Sequence, residues 1–219
     1  MDAIKIKWKT IDRLSKGEAV ATGETVEEDA EAPSIFASVK KPCVVLIADP
    51  TASMADFEQL ETVVFKNEKI GLAMKAFDAL RIAPEDADSD PILGGHGKTV
   101  PRLLVVDPAK EKVKVLEENK IKVSGLYKLM KATAGSFYKE KLDKLVKSHL
   151  KMLTEQDQLS NEVKTLQDKE SRLADEDSPK AKKDLEKLRK EMNEVKEELT
   201  KLMEKTVELW KLTPKKAAA

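Results

Sequence analysis

Few residues of this sequence could do covalent chemistry, and the first of them is its one cysteine, Cys43. A thiol becomes a nucleophile when nearby cations stabilise its thiolate, and Lys40 and Lys41 come shortly before it. This arrangement is compatible with a thiol-dependent oxidoreductase or peroxidase. The alternative interpretation is a small apolar side chain at the start of a buried strand. A single cysteine excludes an internal disulfide and a metal site built from several cysteines.

The two histidines, His96 and His149, fall in different predicted domains, and neither has a cluster of carboxylates or cysteines near it in the sequence. A zinc site or a catalytic triad needs ligands or partners that converge. The sequence therefore predicts no catalytic residue, no metal site and no cofactor.

The glycine-rich stretch 94–99 has some features of a phosphate-binding loop, because Lys98 and Thr99 follow closely spaced glycines. A Walker A loop would need glycine at position 92, where this chain has Ile92, and a helix after the Lys-Thr pair. Here Val100, Pro101 and an apolar strand pattern follow instead, so no helix N-terminus can face a phosphate. We expect a loop that leads into a strand.

The elements that would position such residues are clearest in residues 34–135, where strand and helix patterns alternate as in an α/β domain. Residues 1–33 before it predict a short strand at 4–8 and an acidic loop at 23–31. The first half of the domain is predicted to contain a strand at 44–48, a helix at 54–65 and a strand at 71–80. A loop at 83–97 follows, and then a hairpin of strands at 102–107 and 112–116. The last predicted element is a helix at 125–134 capped by Ser124.

This order, the apolar run from Val44 to Ala48 and the placement of Pro101 resemble the thioredoxin family. In that family a cis-proline after a small β-branched residue opens the fourth strand and faces a Cys-x-x-Cys motif. The turn that would carry that motif has no cysteine here, and Val45 takes the place of the family's buried aspartate. Dithiol exchange needs two thiols, so the resemblance implies a redox-inactive domain. Its degenerate site would be a peptide-binding surface formed by Pro50, Thr51, Ala52, Ser53, Met54, Val100 and Pro101.

Residues 137–212 have the most regular periodicity of the chain. Apolar residues recur every seven positions on two tracks, with alternating spacings of three and four, which is typical of a coiled-coil seam. The pattern breaks at 174–179, where Ser178 can cap a new helix and Pro179 fits its first position. We therefore expect an antiparallel helical hairpin. Folding it near residue 177 would place Leu166 near Leu188, Leu159 near Val195, Met152 near Leu202 and Leu145 near Leu209, with a slip of half a heptad left open.

The apolar stripe is wider at the base of the hairpin than a two-stranded seam needs. Val146, Leu150 and Leu153 widen it on the first arm, and Trp210 lies at the end of the second arm. We expect these four residues to form an interaction surface. Its occupant could be the chain's own α/β domain, a second copy in a homodimer, or another protein.

The composition fits this organisation. Charged residues make up 37% and aromatic residues 4% of the 219 residues, which indicates that part of the chain is elongated helix. Lysine plus arginine equals aspartate plus glutamate at 40 each, so the basic excess typical of nucleic-acid binders is absent. No apolar run is long enough for a signal peptide or a membrane span. We expect a cytoplasmic protein with no nucleic acid, membrane or small-molecule partner.

The predicted fold class is thus α/β, a thioredoxin-like mixed sheet, joined to an all-α antiparallel coiled-coil hairpin. The predicted divisions are 1–33, 34–135, 136–213 and a flexible tail at 214–219. The function that fits best is that of a non-enzymatic structural or interaction protein, in which the hairpin mediates oligomerisation or partner binding. The alternatives are a thiol-dependent enzyme that uses Cys43 and a chaperone-like holdase that binds unfolded chains at the hairpin base.

Overall fold

The structure is a computed structural model, and it describes residues 6–11, 34, 36, 39, 41–49, 60–117, 120–174 and 178–215. The chain divides into two compact units. The first, here called the sheet unit, comprises Met1–Leu142 and Leu212–Ala219. The second, here called the helix unit, comprises Asp143–Lys211. The predicted acidic loop at 23–31 lies outside the described residues.

The sheet unit contains a five-stranded mixed sheet with the strand order β1-β3-β2-β4-β5. β1 and β2 run parallel to β3 on either side of it, whereas β4 is antiparallel to β2 and β5 is antiparallel to β4. This arrangement places the chain in the α/β class that the sequence predicted. The strands are β1 (Lys9–Ile11), β2 (Cys43–Ile47), β3 (Asp78–Ile82), β4 (Arg102–Asp107) and β5 (Lys112–Glu117).

The burial of each strand follows its place in the sheet. Every residue of β2 and β4 is buried, as expected for central strands covered on both faces. β5 is the edge strand and is only partly buried, which its alternation of lysine and valine predicted. One face of the sheet carries a core cluster to which Val45, Ile47 and Leu104 contribute. The prediction of a hairpin at 102–107 and 112–116 is confirmed, because β4 and β5 pair through a short turn.

Helical segments complete the sheet unit. Three of the sequence expectations for them were wrong in detail and are corrected below. The segments are a π-helical stretch (Leu60–Phe65), α1 (Glu68–Ala73), a 3-10 turn (Met74–Ala76), α2 (Pro84–Asp88) and α3 (Val123–Phe137).

The predicted strand at 71–80 is helical through Ala76, and the strand begins only at Asp78. Asn67 starts α1, because its side chain accepts a hydrogen bond of 3.1 Å from the backbone N–H of Lys69. The short apolar run that follows is buried in the helix, and periodicity alone does not separate a buried helix from a buried strand over so few residues.

Three further boundaries differ. The stretch 83–97, predicted as a loop, contains α2, with Pro84 at its first position. The last helix of the sheet unit begins at Val123 after Lys122, which makes no side-chain cap, so Ser124 is not the N-cap. At the N-terminus, the described strand is Lys9–Ile11, whereas residues 4–8 were expected to be extended.

The helix unit is an antiparallel pair built from α4 (Leu142–Ala174) and α5 (Pro179–Glu208). The predicted start of α5 is confirmed: the Ser178 side chain accepts a 3.1 Å hydrogen bond from the N–H of Ala181, and Pro179 is the first helical residue. The first arm starts later than expected, because α3 extends to Phe137 and α4 begins only at Leu142.

The chain segments on either side of the helix unit meet in the sheet unit. Lys139 donates its N–H to the carbonyl of Thr213 at 3.0 Å, and Lys215 donates to the carbonyl of Phe137 at 2.7 Å. Tyr138 and Pro214 form the bridge between them. Pro214 and Lys215, at the start of the tail predicted at 214–219, take part in this pairing. Among the described residues, no helix is long and apolar enough to cross a membrane.

Candidate functional site

The peptide-binding surface predicted by resemblance is described only in part. Pro50, Thr51, Ala52, Ser53 and Met54 lie outside the described residues. Val100 is 46% exposed, and a cis peptide bond joins it to Pro101, which is half buried directly before β4. Val100 is therefore the apolar side chain that this loop presents to solvent.

The loop before Pro101 is held by a carboxylate on the edge strand. Oε1 of Glu117 accepts hydrogen bonds from the backbone N–H groups of Lys98, at 3.0 Å, and Thr99, at 3.4 Å. These bonds, the one from Lys98 first, lower the pKa of Glu117 below its ordinary value. Gly97 has a φ of 78°, and a Cβ at this position would overlap Oε1 of Glu117, so the turn requires glycine.

A buried arginine supports the same loop from β4, and the sequence reasoning missed it. Arg102 is 1% exposed, and its Nη2 donates to Oδ1 of Asp88 at 2.7 Å, while Nη1 donates to the carbonyl of Thr99 at 3.3 Å. The pair links α2, the loop and the sheet. The signal in the sequence was a charged residue at the start of an otherwise apolar strand that is buried throughout. We interpret Arg102 as structural.

Cys43 lies in β2 and is fully buried. Its Sγ donates a weak hydrogen bond to the carbonyl of Lys41 at 3.4 Å. Burial, and secondarily the negative charge of Asp78, raise the pKa of Cys43 from 9.0 to about 12, although Lys9 opposes this shift. At neutral pH the group is a thiol, which is a poor nucleophile. These surroundings are those of a packed core residue.

The described residues contain no group of three or more histidine, cysteine, aspartate or glutamate side chains that could hold a metal ion. The two histidines have different surroundings. His96 is half buried in the loop before β4, whereas His149 is 3% exposed in α4. Nε1 of Trp210 donates to Nδ1 of His149 at 2.6 Å, and the two ring centroids are 5.8 Å apart.

That hydrogen bond lies at the base of the helix unit, where the sequence predicted an interaction surface of four residues. Val146 is 1% exposed, so its own side chain offers almost no surface to a partner. Leu150, Leu153 and Trp210 are half buried. Trp210 is therefore engaged with His149 while part of its ring reaches solvent.

Side-chain contacts between α4 and α5 fix how the two helices pair. Oγ1 of Thr206 lies 3.5 Å from Sδ of Met152, and Nε2 of Gln156 donates to the same oxygen at 3.5 Å. Near the far end, Nε of Arg189 donates to Oε1 of Glu170 at 2.7 Å. Met152 thus faces Thr206 and not Leu202, four residues away from the pairing that folding at residue 177 would give. This is the half-heptad slip that the heptad pattern had left open.

The seam, meaning the residues of each helix that face the other helix, separates two flanks of unlike character. One flank is a charged groove lined by Glu155, Glu162, Glu198, Lys201 and Lys205 from both helices. Glu155 directly precedes the seam residue Gln156, and Lys205 directly precedes the seam residue Thr206. Residues that directly follow a seam residue lie on the opposite side of the seam. Leu153 follows Met152 and Met203 follows Leu202, so both lie on the second flank.

That second flank is apolar near the base. Met203 is 56% exposed and Val207, one turn later, is 68% exposed. Leu153 occupies the matching position on α4, and Leu150 and Trp210 continue the same stripe at helical spacing. We call these five residues the apolar flank. The sequence reasoning missed Met203 and Val207, and the signal that could have found them was their spacing of seven and three residues from Trp210.

No family model, no curated protein and no solved structure matches this chain.

Proposed function

We infer that the protein is a non-enzymatic assembly protein whose helix unit, an antiparallel coiled-coil hairpin, dimerises with a second copy through the apolar flank. The observation that carries this proposal is the exposure of Met203 and Val207 side by side on one helix. Two large apolar side chains one turn apart, on a face continuous with three more, are typical of a contact surface and not of a solvated helix.

Charges of both signs beside the apolar flank are compatible with a second copy as the occupant. Lys147 on α4 and Glu204 on α5 are both exposed next to it. A twofold axis makes each apolar flank meet its own copy, so the two pairs of helices would form a four-helix bundle.

We also propose that the sheet unit is a thioredoxin-like domain without redox activity. The strand order β1-β3-β2-β4-β5, with Pro101 directly before β4, supports the resemblance. The absence of cysteine from residues 50–54 and the burial of Cys43 support the loss of thiol chemistry. In this proposal the sheet unit presents Val100 for docking, while the helix unit supplies assembly.

The test is the mass of the protein in solution. Sedimentation equilibrium over a wide concentration range should give twice the chain mass of 24.4 kDa at high concentration and approach a single chain on dilution. A single chain at every concentration would remove the dimer from the proposal. Replacing Met203 and Val207 by charged residues should lower this mass if the dimer forms through the apolar flank.

A further inference from the structure

A groove on the sheet unit, between α1 and α3, is lined by lysines. It has a volume of about 540 Å³, and Lys69 from α1 faces Lys122, Lys128 and Lys131 around α3. Its floor is apolar, because Val123 and Tyr127 are half buried between the lysines. The distance from Lys122 to Lys131 along the chain corresponds to about 13 Å of helix.

Three of the four lysines of this groove have no carboxylate partner among the described residues. Lys69, Lys122 and Lys128 are exposed and form no ion pair with any residue of the described part of the chain. The first turn of α3 contains no acidic residue and its N-cap makes no side-chain bond, so the positive end of the helix dipole adds to the lysines.

Several lysines of the helix unit differ in this respect. Lys151 pairs with Glu155, Lys190 with Glu194 and Lys201 with Glu197, each within one helical turn. Charges of both signs alternate there, as on an ordinary solvated helix face. The groove between α1 and α3 is thus a local concentration of one charge in a chain whose net charge is zero.

We propose that this groove binds an acidic peptide segment of a partner protein. The glutamate or aspartate carboxylates of the segment would meet the four lysines, and its apolar side chains would cover Val123 and Tyr127. The apolar floor favours a peptide over a nucleic acid. Single-stranded nucleic acids are bound by exposed aromatic faces and by tracks of arginine and lysine, and this groove has one half-buried tyrosine and no arginine. The inference concerns the sheet unit and does not depend on dimerisation.

The probe is a fluorescein-labelled synthetic peptide in which glutamate alternates with leucine, titrated with the full-length protein and followed by fluorescence anisotropy. We expect saturable binding that weakens as salt is added, because exposed ion pairs are screened. The double variant Lys128→Glu/Lys131→Glu should raise the dissociation constant by about tenfold or more. The double variant Lys128→Gln/Lys131→Gln should raise it by less.

The matched control is Lys110→Glu/Lys112→Glu, which makes the same charge change at two exposed lysines, one in the turn between β4 and β5 and one at the start of β5. It should leave the dissociation constant within about twofold of the unchanged protein. Replacing leucine by glycine in the probe should weaken binding severalfold. The proposal is overturned if the probe does not bind at about 1 mM protein, if both double charge reversals weaken binding equally, or if a single-stranded oligonucleotide of equal charge binds the same lysines more tightly than the peptide.

Discussion

Trp210 and His149, 61 residues apart in the chain, are joined by a hydrogen bond of 2.6 Å from the indole Nε1 to the imidazole Nδ1. Because Nδ1 accepts this bond, it carries no proton, and the neutral imidazole has its proton on Nε2. The bond connects the residues just after α5 to the first half of α4, so it closes the helix pair at its base. It also holds in place the indole of Trp210, which is the part of the apolar flank nearest the base of the helix pair.

Removing the donor should destabilise the helix unit. Trp210→Phe keeps an aromatic ring but leaves Nδ1 of the buried His149 without the indole partner, which should lower the free energy of unfolding by about 1–3 kcal/mol. Urea unfolding followed by far-ultraviolet circular dichroism measures this loss. Trp8→Phe is the matched control, because Trp8 contacts Phe65 edge to face at 5.0 Å and makes no hydrogen bond through its indole in the described structure. Equal losses from the two substitutions would contradict the role given to the hydrogen bond.

Tyr138 should make the stability of the sheet unit depend on pH in the alkaline range. Its hydroxyl donates to the carbonyl of Ala76 at 2.9 Å, and burial, followed by the charge of Asp78, raises its pKa from 10.0 to about 12. Between these two values the unfolded chain loses the proton and the folded chain keeps it. The folded state therefore loses about 1.4 kcal/mol of stability per pH unit from this group.

The variant Tyr138→Phe separates this effect from other alkaline titrations. Below pH 10.0 it should be less stable than the unchanged protein by about 1 kcal/mol, because the hydrogen bond to Ala76 is lost. Above that pH the difference should shrink and then reverse, since phenylalanine does not ionise. Both proteins are compared in a Cys43→Ala background, because the charge of the Cys43 thiolate also acts on Tyr138. A difference that stays constant as the pH rises would show that Tyr138 is not held protonated by the fold.

The thiol of Cys43 should be inert in the folded protein. Near pH 8, a pKa of about 12 in place of 9.0 reduces the thiolate fraction by about three orders of magnitude, and burial adds to the protection. A chromogenic disulfide reagent should therefore react promptly only after the chain is unfolded in urea. The control is Asn193→Cys in a Cys43→Ala background, which places a thiol at an exposed position of α5 and should react at once. Rapid reaction of native Cys43 would favour the thiol-dependent enzyme over the assembly protein.

Local sequence signals predicted several parts of this fold because each depends on few residues. The hairpin of β4 and β5 follows from two apolar runs around a short turn, and the start of α5 follows from Ser178 and Pro179. The segment from Glu68 to Ala76 could not be assigned in this way. Its buried apolar run is compatible with a strand or a helix, and Asn67 decides between them through a cap that only the structure reveals.

The sequence predicted the two helices of the candidate site, but it did not determine their register or reveal the apolar flank. A heptad repeat specifies which residues face the other helix, but a slip of four residues moves each seam residue opposite another residue of the same seam. Met152 can therefore lie opposite Thr206 as well as opposite Leu202. The apolar flank is a different case, because its residues come from two helices and share a face only when both helices are oriented relative to the seam between them. The spacing from Trp210 puts Met203 and Val207 on one face of α5, but only the structure shows that this face is exposed to solvent.

The most direct test of the assembly proposal is sedimentation equilibrium of the variant Met203→Glu/Val207→Glu beside the unchanged protein. Each substitution places a carboxylate where the dimer contact would remove it from water, which is costly. The control Asn193→Glu adds a carboxylate at another exposed position of α5. We predict that the unchanged protein and the control form dimers with similar dissociation constants, and that the double variant raises the constant by at least about tenfold. A dimer that persists unchanged in the double variant, or an unchanged protein that is monomeric at every concentration, would contradict the proposal.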